Sequence, residues 1–276
     1  MTNEYGLLKI HEQELEMLKV LDDFCRRHDI EYMLDAGTLI GAIREHGFIP
    51  WDDDVDIIMT RDNWEKLDSL IRDELPDTMK MLLPEDLAEN NKFYDYANRI
   101  IFTTTQRRDE DAKAVFYDGL LNHLWIDIFV YDNIPDNKVK AHLRIAVQKI
   151  LYALSLAYKD SKFRQTNLGE RIALLPFIAV GKLIPLKKIC EWKRKWSVKD
   201  YNDNTKKYFV SNYPPDWFNV WYDKDWYKEI IRVPFEDTEL PVPSGYHEVL
   251  TVGYGDYMKR PDEKDRVSSH DTSLKV

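Results

Sequence analysis

Residues 32–59, YMLDAGTLIGAIREHGFIPWDDDVDIIM, hold the features that decide the fold and the chemistry of this 276-residue chain. The apolar run at 32–34 predicts a buried strand, and a helix is expected at 39–44 after a turn of small residues at 36–38. A second apolar run, 55–59, predicts a second strand. A small-residue turn between a strand and a helix is a place where backbone N–H groups approach a phosphate.

Four carboxylates stand at the start of the second strand: Asp52, Asp53, Asp54 and Asp56. Because side chains alternate along a strand, we expect Asp54 and Asp56 to point the same way, while Val55 and Ile57 point into the core. Two neighbouring acids repel each other unless a cation lies between them. Oxygen ligands of this kind suit Mg²⁺ or Mn²⁺, with waters and substrate phosphates completing the shell. The pattern therefore predicts a metal site.

Two other interpretations of the aspartates are a solvated turn and a calcium-binding loop. The loop would use Asp52, Asp54 and Asp56 as its first, third and fifth ligands. An EF-hand then needs Gly at the sixth position and Glu at the twelfth, where this chain has Ile57 and Asn63. The calcium interpretation therefore fails, and the solvated turn stays as the alternative.

Asp127 is the one charged residue of the apolar run 124–130, LWIDIFV. A charge inside a buried strand is unfavourable unless it is paired or bound to a metal. We therefore expect Asp127 to be a third metal ligand or a general base, with a structural salt bridge to a buried arginine as the alternative. Arg44 and Arg99 are candidates for clamping a diphosphate, because a guanidinium matches two phosphate oxygens. A surface ion pair is the alternative, as it is for Arg107 and Arg108.

Periodicity predicts the remaining elements. Helices are expected at 7–28, 139–158, 171–184 and 186–198. A further helix is expected to begin at a capping box formed by Asp62 and Glu65 and to end near Pro76. Strands are expected at 79–83, 97–102 and 230–236. His11 and His28 are expected at the surface or in a cap, His247 in a helix, and Cys25 and Cys190 as buried thiols.

The net charge of −10 hides a basic block at 138–199, where fifteen Lys and Arg face three Asp and Glu, a net charge of +12. Such a block predicts an anionic partner, and its apolar runs favour a membrane surface over nucleic acid. An ordinary helical subdomain with a basic solvent face is the alternative. The apolar run 172–180 is far shorter than the roughly 20 residues of a bilayer span. The first 20 residues lack the pattern of a secretion signal and the two cysteines make no disulfide framework, so we expect a cytoplasmic protein.

Four strings of this sequence resemble the LicD family, which includes fukutin-like proteins, within the nucleotidyltransferase superfamily. They are GTLIGAIREHGFIPWDDDVDI at 37–57, WIDIF at 125–129, VPSGYHEVL at 242–250 and YGDYM at 254–258. The resemblance implies an α/β (α+β) fold with a nucleotidyltransferase-like mixed sheet flanked by helices and interrupted by a helical insertion. On this basis we expect a catalytic core at 1–136, a basic helical subdomain at 137–207, and a C-terminal part at 208–276 that completes the core and the cleft.

The resemblance also implies an activity: metal-dependent transfer of phosphocholine, or a related phospho-alcohol, from its CDP derivative to a glycan, with release of CMP. Teichoic-acid or lipooligosaccharide precursors, including lipid-linked ones, are the expected acceptors. Asp54, Asp56 and Asp127 would hold Mg²⁺ or Mn²⁺, Asp127 would accept the proton, and Gly37 and Thr38 would hold the phosphates. Nucleotidyl transfer to a small acceptor, and a non-catalytic, metal-stabilised membrane-docking scaffold, are the two rival functions.

A choline headgroup is a quaternary ammonium, which proteins hold with aromatic faces. Candidates for such a cage lie on both sides of the strand at 97–102: Tyr94, Tyr96, Tyr117 and Trp125. Ordinary packing is the alternative for each of them in a chain so rich in aromatic residues.

Overall fold

The computed structural model describes residues 5–106, 116–159 and 168–268, so Arg107 and Arg108 lie outside the described residues. Its helices are α1 (Leu8–Arg27), α2 (Ala36–Arg44), α3 (Arg61–Glu74), α4 (Pro84–Glu89), α5 (Lys138–Ser155), α6 (Leu168–Gly181), α7 (Leu186–Ser197) and α8 (Tyr246–Tyr254). Its strands are β1 (Met33–Leu34), β2 (Val55–Thr60), β3 (Met79–Leu82), β4 (Asn98–Phe102), β5 (Leu124–Ile134), β6 (Lys207–Val210), β7 (Tyr222–Asp223), β8 (Ile230–Phe235) and β9 (Thr238–Pro243).

Seven strands form one mixed sheet in which β5 is the central strand. The order is β1-β2-β5-β4-β3, and β6 pairs with the last residues of β5 before β7 pairs with β6. Only β2 and β5 run parallel, and the other pairs are antiparallel. The predicted mixed α/β fold is confirmed. The predicted strand at 230–236 also exists, but it forms a separate hairpin, β8 with β9.

The sheet is held against helices by apolar contacts on the face opposite the aspartates. Val55 and Ile57 are fully buried, as their alternation with Asp54 and Asp56 predicted. The helix α1 contacts β5, and α3 contacts both β2 and β5. Buried residues at 209–257 of the C-terminal part belong to the same large core, as do Ala141 and Ile145 of α5, whereas the second half of α5 packs with α7 in smaller clusters.

Two helix starts differ from the prediction. The helix α2 includes the expected turn at 36–38, because the N–H of Leu39 already donates to the carbonyl of Asp35 at 2.9 Å. Ala36 makes the bend out of β1 with a φ of +44°. The cap of α3 is Thr60 and not Asp62, since β2 runs directly into the helix and the Thr60 hydroxyl accepts from the N–H of Asn63.

The prediction of a surface or capping position was wrong for His11. Its side chain is 2 % exposed, Nε2 lies 2.8 Å from the carbonyl oxygen of Asp52, and the ring stacks on Phe48 at 4.5 Å. Burial lowers the pKa of His11. Cys25 and Cys190 are buried thiols as predicted, and burial raises the pKa of each to about 12.

Candidate active site

Asp56 and Asp127 are register partners on the parallel strands β2 and β5. Paired residues of neighbouring strands point to the same face of a sheet, so the two carboxylates lie side by side. Arg99 is in turn the register partner of Asp127 on β4. One row across three strands therefore carries two carboxylates and one guanidinium.

Five carboxylates act on one another around this row, and we call them the carboxylate cluster: Asp35, Asp52, Asp54, Asp56 and Asp127. Burial, followed by the charges of the other four members, raises the pKa of Asp56 well above its ordinary value. Burial, followed by the charge of Asp53, raises the pKa of Asp52 to about 6, and burial raises the pKa of Asp35 to about 6. A cation bound here would relieve the mutual repulsion.

The donor chemistry of the carboxylate cluster fits a divalent cation, because carboxylate oxygens are the ligands that hard cations prefer. The register pairing of Asp56 with Asp127 supports this fit, since it sets two carboxylates side by side, and the charges of four carboxylates add to burial in raising the pKa of Asp56. Within the described ranges, no three Asp, Glu, His or Cys side chains are already arranged around one metal position. Asp54, Asp56 and Asp127 remain the predicted ligands, and their carboxylates would have to rotate to close on an ion.

The orientation of Asp127 is fixed by two neighbours. Its Oδ1 lies 2.8 Å from Nε of Arg99, and its Oδ2 accepts a hydrogen bond of 3.0 Å from the indole N–H of Trp125. Arg99 is 4 % exposed and donates two further bonds, of 2.7 and 2.8 Å, to Asp95. The salt bridge to a buried arginine, which the sequence left open, is therefore present. It positions Asp127 and leaves its catalytic role as a prediction.

Arg99, a candidate for the diphosphate clamp, and the candidates for the choline cage contact one another or other groups of the chain in this structure. The guanidinium of Arg99 lies over the rings of Tyr94 and Trp125, at 5.1 and 5.4 Å from their centroids. The ammonium of Lys159 lies 4.8 Å from the ring of Tyr94. These aromatic faces thus already hold cations of the chain itself. The remaining cage candidates, Tyr96 and Tyr117, are buried, and Tyr117 donates to the carbonyl of Phe93.

Thr38 and Gly37 support the site from the first turn of α2. The hydroxyl of Thr38 accepts a 2.9 Å hydrogen bond from the backbone N–H of Asp56, and the N–H of Asp35 donates to the carbonyl of Asp56 at 3.0 Å. A Cβ on Gly37 would clash with the carboxylate of Asp52, so a side chain there would displace this member of the cluster. The N terminus of α2, which favours anions, therefore lies beside the carboxylate cluster, and phosphate binding by Gly37 and Thr38 stays a prediction.

Arg44 lies at the other end of α2 and is engaged locally. It bonds to Glu45 at 2.7 Å and to the carbonyl of Tyr257 at 2.8 Å, and its guanidinium lies 5.9 Å from the ring of Trp51. These contacts join α2 to the C-terminal part. Its predicted contact with a diphosphate is untested by this geometry.

Three residues at the site were missed by sequence reasoning. His11 holds the backbone of Asp52, and its position four residues after Leu7 on the apolar stripe of α1 was the available signal. The hydroxyl of Tyr213 donates to Asp35, a contact spanning 178 residues that no local pattern announces. Tyr254 is the third, because its ring centroid lies 5.3 Å from that of Trp217, which in turn packs against Tyr213.

Comparison with known proteins finds relatives of this chain. The family model of the LicD/FKTN/FKRP nucleotidyltransferase domain matches residues 29–148, which include β2, β4 and β5. The chain is 32% identical to the lipopolysaccharide cholinephosphotransferase LicD of Haemophilus influenzae, over 95% of this chain and 96% of that protein. An uncharacterized protein of Rickettsia prowazekii is 26% identical over 37% of this chain and 41% of its own length.

The match of the nucleotidyltransferase-domain model to this mixed sheet gives the class of the fold, and the Haemophilus relative supports a transferase activity. Similarity to LicD along nearly the whole chain narrows the assignment from this fold class to one family. The chain belongs to the LicD family.

Proposed function

We propose that this protein transfers phosphocholine from CDP-choline to a hydroxyl group of a lipopolysaccharide-type glycan and releases CMP. The observation that carries the proposal is the register pairing of Asp56 with Asp127, in a chain that is similar over 95% of its length to a cholinephosphotransferase. Related CDP-alcohols, and teichoic-acid or lipid-linked glycan precursors, are the neighbouring donors and acceptors to be compared.

In the proposed reaction the acceptor oxygen forms a bond to the outer phosphorus of CDP-choline, and the bond from that phosphorus to the bridging oxygen breaks. CMP leaves with the bridging oxygen. A carboxylate of the cluster takes the acceptor proton, and Asp127, whose orientation Arg99 and Trp125 fix, is the candidate. Phosphate groups of the donor are held at the N terminus of α2 by Gly37 and Thr38.

Asp54, Asp56 and Asp127 would hold a divalent cation, Mg²⁺ or Mn²⁺, which offsets the charge of the diphosphate when bound. This assignment rests on the negative charge that the cluster gathers. The support is electrostatic, and the ion is to be identified by the metal dependence of the reaction.

Product analysis tests the reaction type. The protein is incubated with CDP-choline, Mg²⁺ or Mn²⁺ and lipopolysaccharide that lacks phosphocholine, and the nucleotide products are separated. Phosphocholine transfer predicts CMP, in amounts equal to the phosphocholine gained by the acceptor. The rival nucleotidyl transfer, assayed with CTP and a small acceptor such as phosphocholine, predicts pyrophosphate instead. Pyrophosphate release from CTP with no CMP from CDP-choline would overturn the proposal.

The exposed apolar surface of helix α6 suggests where the protein binds its acceptor. Leu174 and Ile178 pack inward, but five large apolar residues at 172–183 are exposed, and we call them the α6 face: Ile172, Leu175, Phe177, Val180 and Leu183. Lysines at 182, 187 and 188 follow this helix along the chain and are exposed. Within the described ranges, no helix is long and apolar enough to cross a bilayer. We propose that the α6 face rests on an anionic membrane at its cytoplasmic side, where lipid-linked acceptors lie.

A further inference from the structure

Three aromatic side chains of the C-terminal part line up beside the carboxylate cluster, and we call them the aromatic wall: Tyr213, Trp217 and Tyr254. Tyr213 follows β6, Trp217 lies in a 3-10 turn at Pro215–Asn219, and Tyr254 ends α8. The ring centroids of Tyr213 and Trp217 are 5.9 Å apart, and those of Trp217 and Tyr254 are 5.3 Å apart. Each ring therefore packs against the next, with Trp217 in the middle.

The aromatic wall is fixed to the row that carries the carboxylates. The Tyr213 ring packs edge-on against Phe129 at 4.4 Å, and Phe129 shares a sheet face with Asp127, two residues before it. The hydroxyl of Tyr213 donates to Asp35. The wall is therefore anchored at its inner end to both the sheet and the carboxylate cluster.

Exposure increases along the aromatic wall. Tyr213 is 7 % exposed, Trp217 is half-buried and Tyr254 is 41 % exposed. The outer two rings thus offer aromatic surface to a ligand next to a concentration of negative charge. That combination suits a cation without hydrogen-bond donors. Aromatic faces and nearby negative charge attract such a cation, whereas hydrogen-bond acceptors cannot form hydrogen bonds to it.

We infer that the aromatic wall, with Trp217 and Tyr254 as its contact residues, binds the quaternary ammonium of the phosphocholine group. The inference rests on the proposed function and adds the place of the headgroup. A short ethylene linker joins the ammonium to its phosphate, so a phosphate beside the carboxylate cluster puts the ammonium within reach of these rings. The earlier cage candidates Tyr94 and Trp125 instead face Arg99, and Tyr94 also faces Lys159.

The test is the affinity of the protein for two ligands that differ in charge alone, measured by calorimetry: phosphocholine and its carbon isostere, 3,3-dimethylbutyl phosphate. A cation–π contribution predicts that the wild type binds phosphocholine about five- to thirty-fold more tightly than the isostere. Trp217→Leu is expected to lose most of that preference. Trp192→Leu, at an exposed tryptophan on α7, is expected to keep it.

The preference should fall in the same way in Tyr254→Leu, which alters a more exposed side chain and decides the matter if Trp217→Leu unfolds. An unchanged preference in folded Trp217→Leu and Tyr254→Leu would overturn the inference. So would an equal loss of CMP affinity in both variants, because the wall would then stack on the cytosine base.

The binding assay needs no transfer, so the two proposals can fail separately. A preference that depends on Trp217, without CMP release from CDP-choline, would keep the headgroup site and remove the reaction. CMP release without any such preference would keep the reaction and remove this site.

Discussion

The guanidinium of Arg99 and the carboxylate of Asp127 lie 2.8 Å apart at register-paired positions of β4 and β5. On the other side of Asp127 stands Asp56, its partner on β2. Arg99 therefore compensates part of the negative charge at one end of the row. Asp127 lies between this structural partner and Asp56, with which we propose that it holds the cation.

Arg99→Leu is expected to destabilise the fold by about 3–5 kcal/mol, because the carboxylates of Asp95 and Asp127 lose the guanidinium that pairs with them. Urea denaturation measures the loss. Adding Asp127→Asn to Arg99→Leu should restore part of it, since one of the stranded charges is removed. Arg72→Leu, in an exposed pair with Asp68, should stay within about 1 kcal/mol of wild type. Equal stability of Arg99→Leu and Arg72→Leu would contradict the structural role of Arg99.

Thr38→Val keeps the shape of the side chain but removes the oxygen that accepts from the N–H of Asp56. A buried donor without its partner costs about 1–3 kcal/mol, and the displaced strand end should also slow transfer. Thr38→Ser retains the hydroxyl and is the matched control, expected to lie closer to wild type in both unfolding and turnover. If Val and Ser variants behave alike, the hydroxyl does not hold Asp56.

Cation-free protein should become less stable as the pH rises through the range in which the carboxylate cluster ionises. A carboxyl whose pKa is raised by folding binds its proton more tightly in the folded state, so the stability it contributes at low pH is lost between its ordinary value of 3.8 and its folded value. For Asp35 and Asp52 the pKa in the folded state is about 6. For Asp56 the folded pKa lies well above the ordinary value.

Asp56→Asn removes one of the repelling charges. At pH 8 in EDTA this variant should melt above the wild type, by about 2–4 °C for each kcal/mol of repulsion relieved, and the difference should shrink towards pH 4. Added Mg²⁺ or Mn²⁺ should raise the melting temperature of the wild type more than that of Asp56→Asn. The scaffold alternative predicts instead that the wild type itself loses its fold in EDTA, because it treats the bound metal as structural.

The sequence was sufficient to predict β2 and β5, because an aspartate inside each apolar run has few explanations other than a charged site on a buried strand. The same runs placed Val55 and Ile57 in the core. What the sequence did not show depends on contacts distant along the chain. The bond from His11 to the backbone of Asp52 spans 41 residues, and that from Tyr213 to Asp35 spans 178.

The prediction of the residue at which α2 begins was wrong for a local reason. Ala36, Gly37 and Thr38 have the composition of a turn, and their helical state depends on the bend at Ala36 and the clearance that Gly37 gives to Asp52. The aromatic residues illustrate a further limit. Composition marks residues 208–260 as rich in aromatics, but only the tertiary structure separates the aromatic wall from rings such as Tyr117 that serve packing.

The α6 face is expected to bind vesicles of anionic lipid. Ile172→Asp combined with Leu175→Asp places two charges where apolar contact is proposed, so co-sedimentation with phosphatidylglycerol vesicles should fall several-fold at low salt. Binding of the wild type should weaken as ionic strength rises, because the lysines contribute electrostatically. Val267→Asp, at an equally exposed apolar residue outside the insertion, is the control. Identical sedimentation of both variants and the wild type would contradict membrane docking by α6.

The central claim is that the carboxylate row performs phosphocholine transfer, and the most direct measurement follows labelled choline from CDP-choline into lipopolysaccharide at saturating Mg²⁺ or Mn²⁺. Wild type, Asp56→Asn and Asp73→Asn are compared, the last being an exposed aspartate of α3. We expect transfer with one CMP per phosphocholine in the wild type and in Asp73→Asn, and a loss of about a hundredfold or more in folded Asp56→Asn. Transfer by Asp56→Asn at the wild-type rate, or no transfer by any of the three folded proteins, would contradict the account.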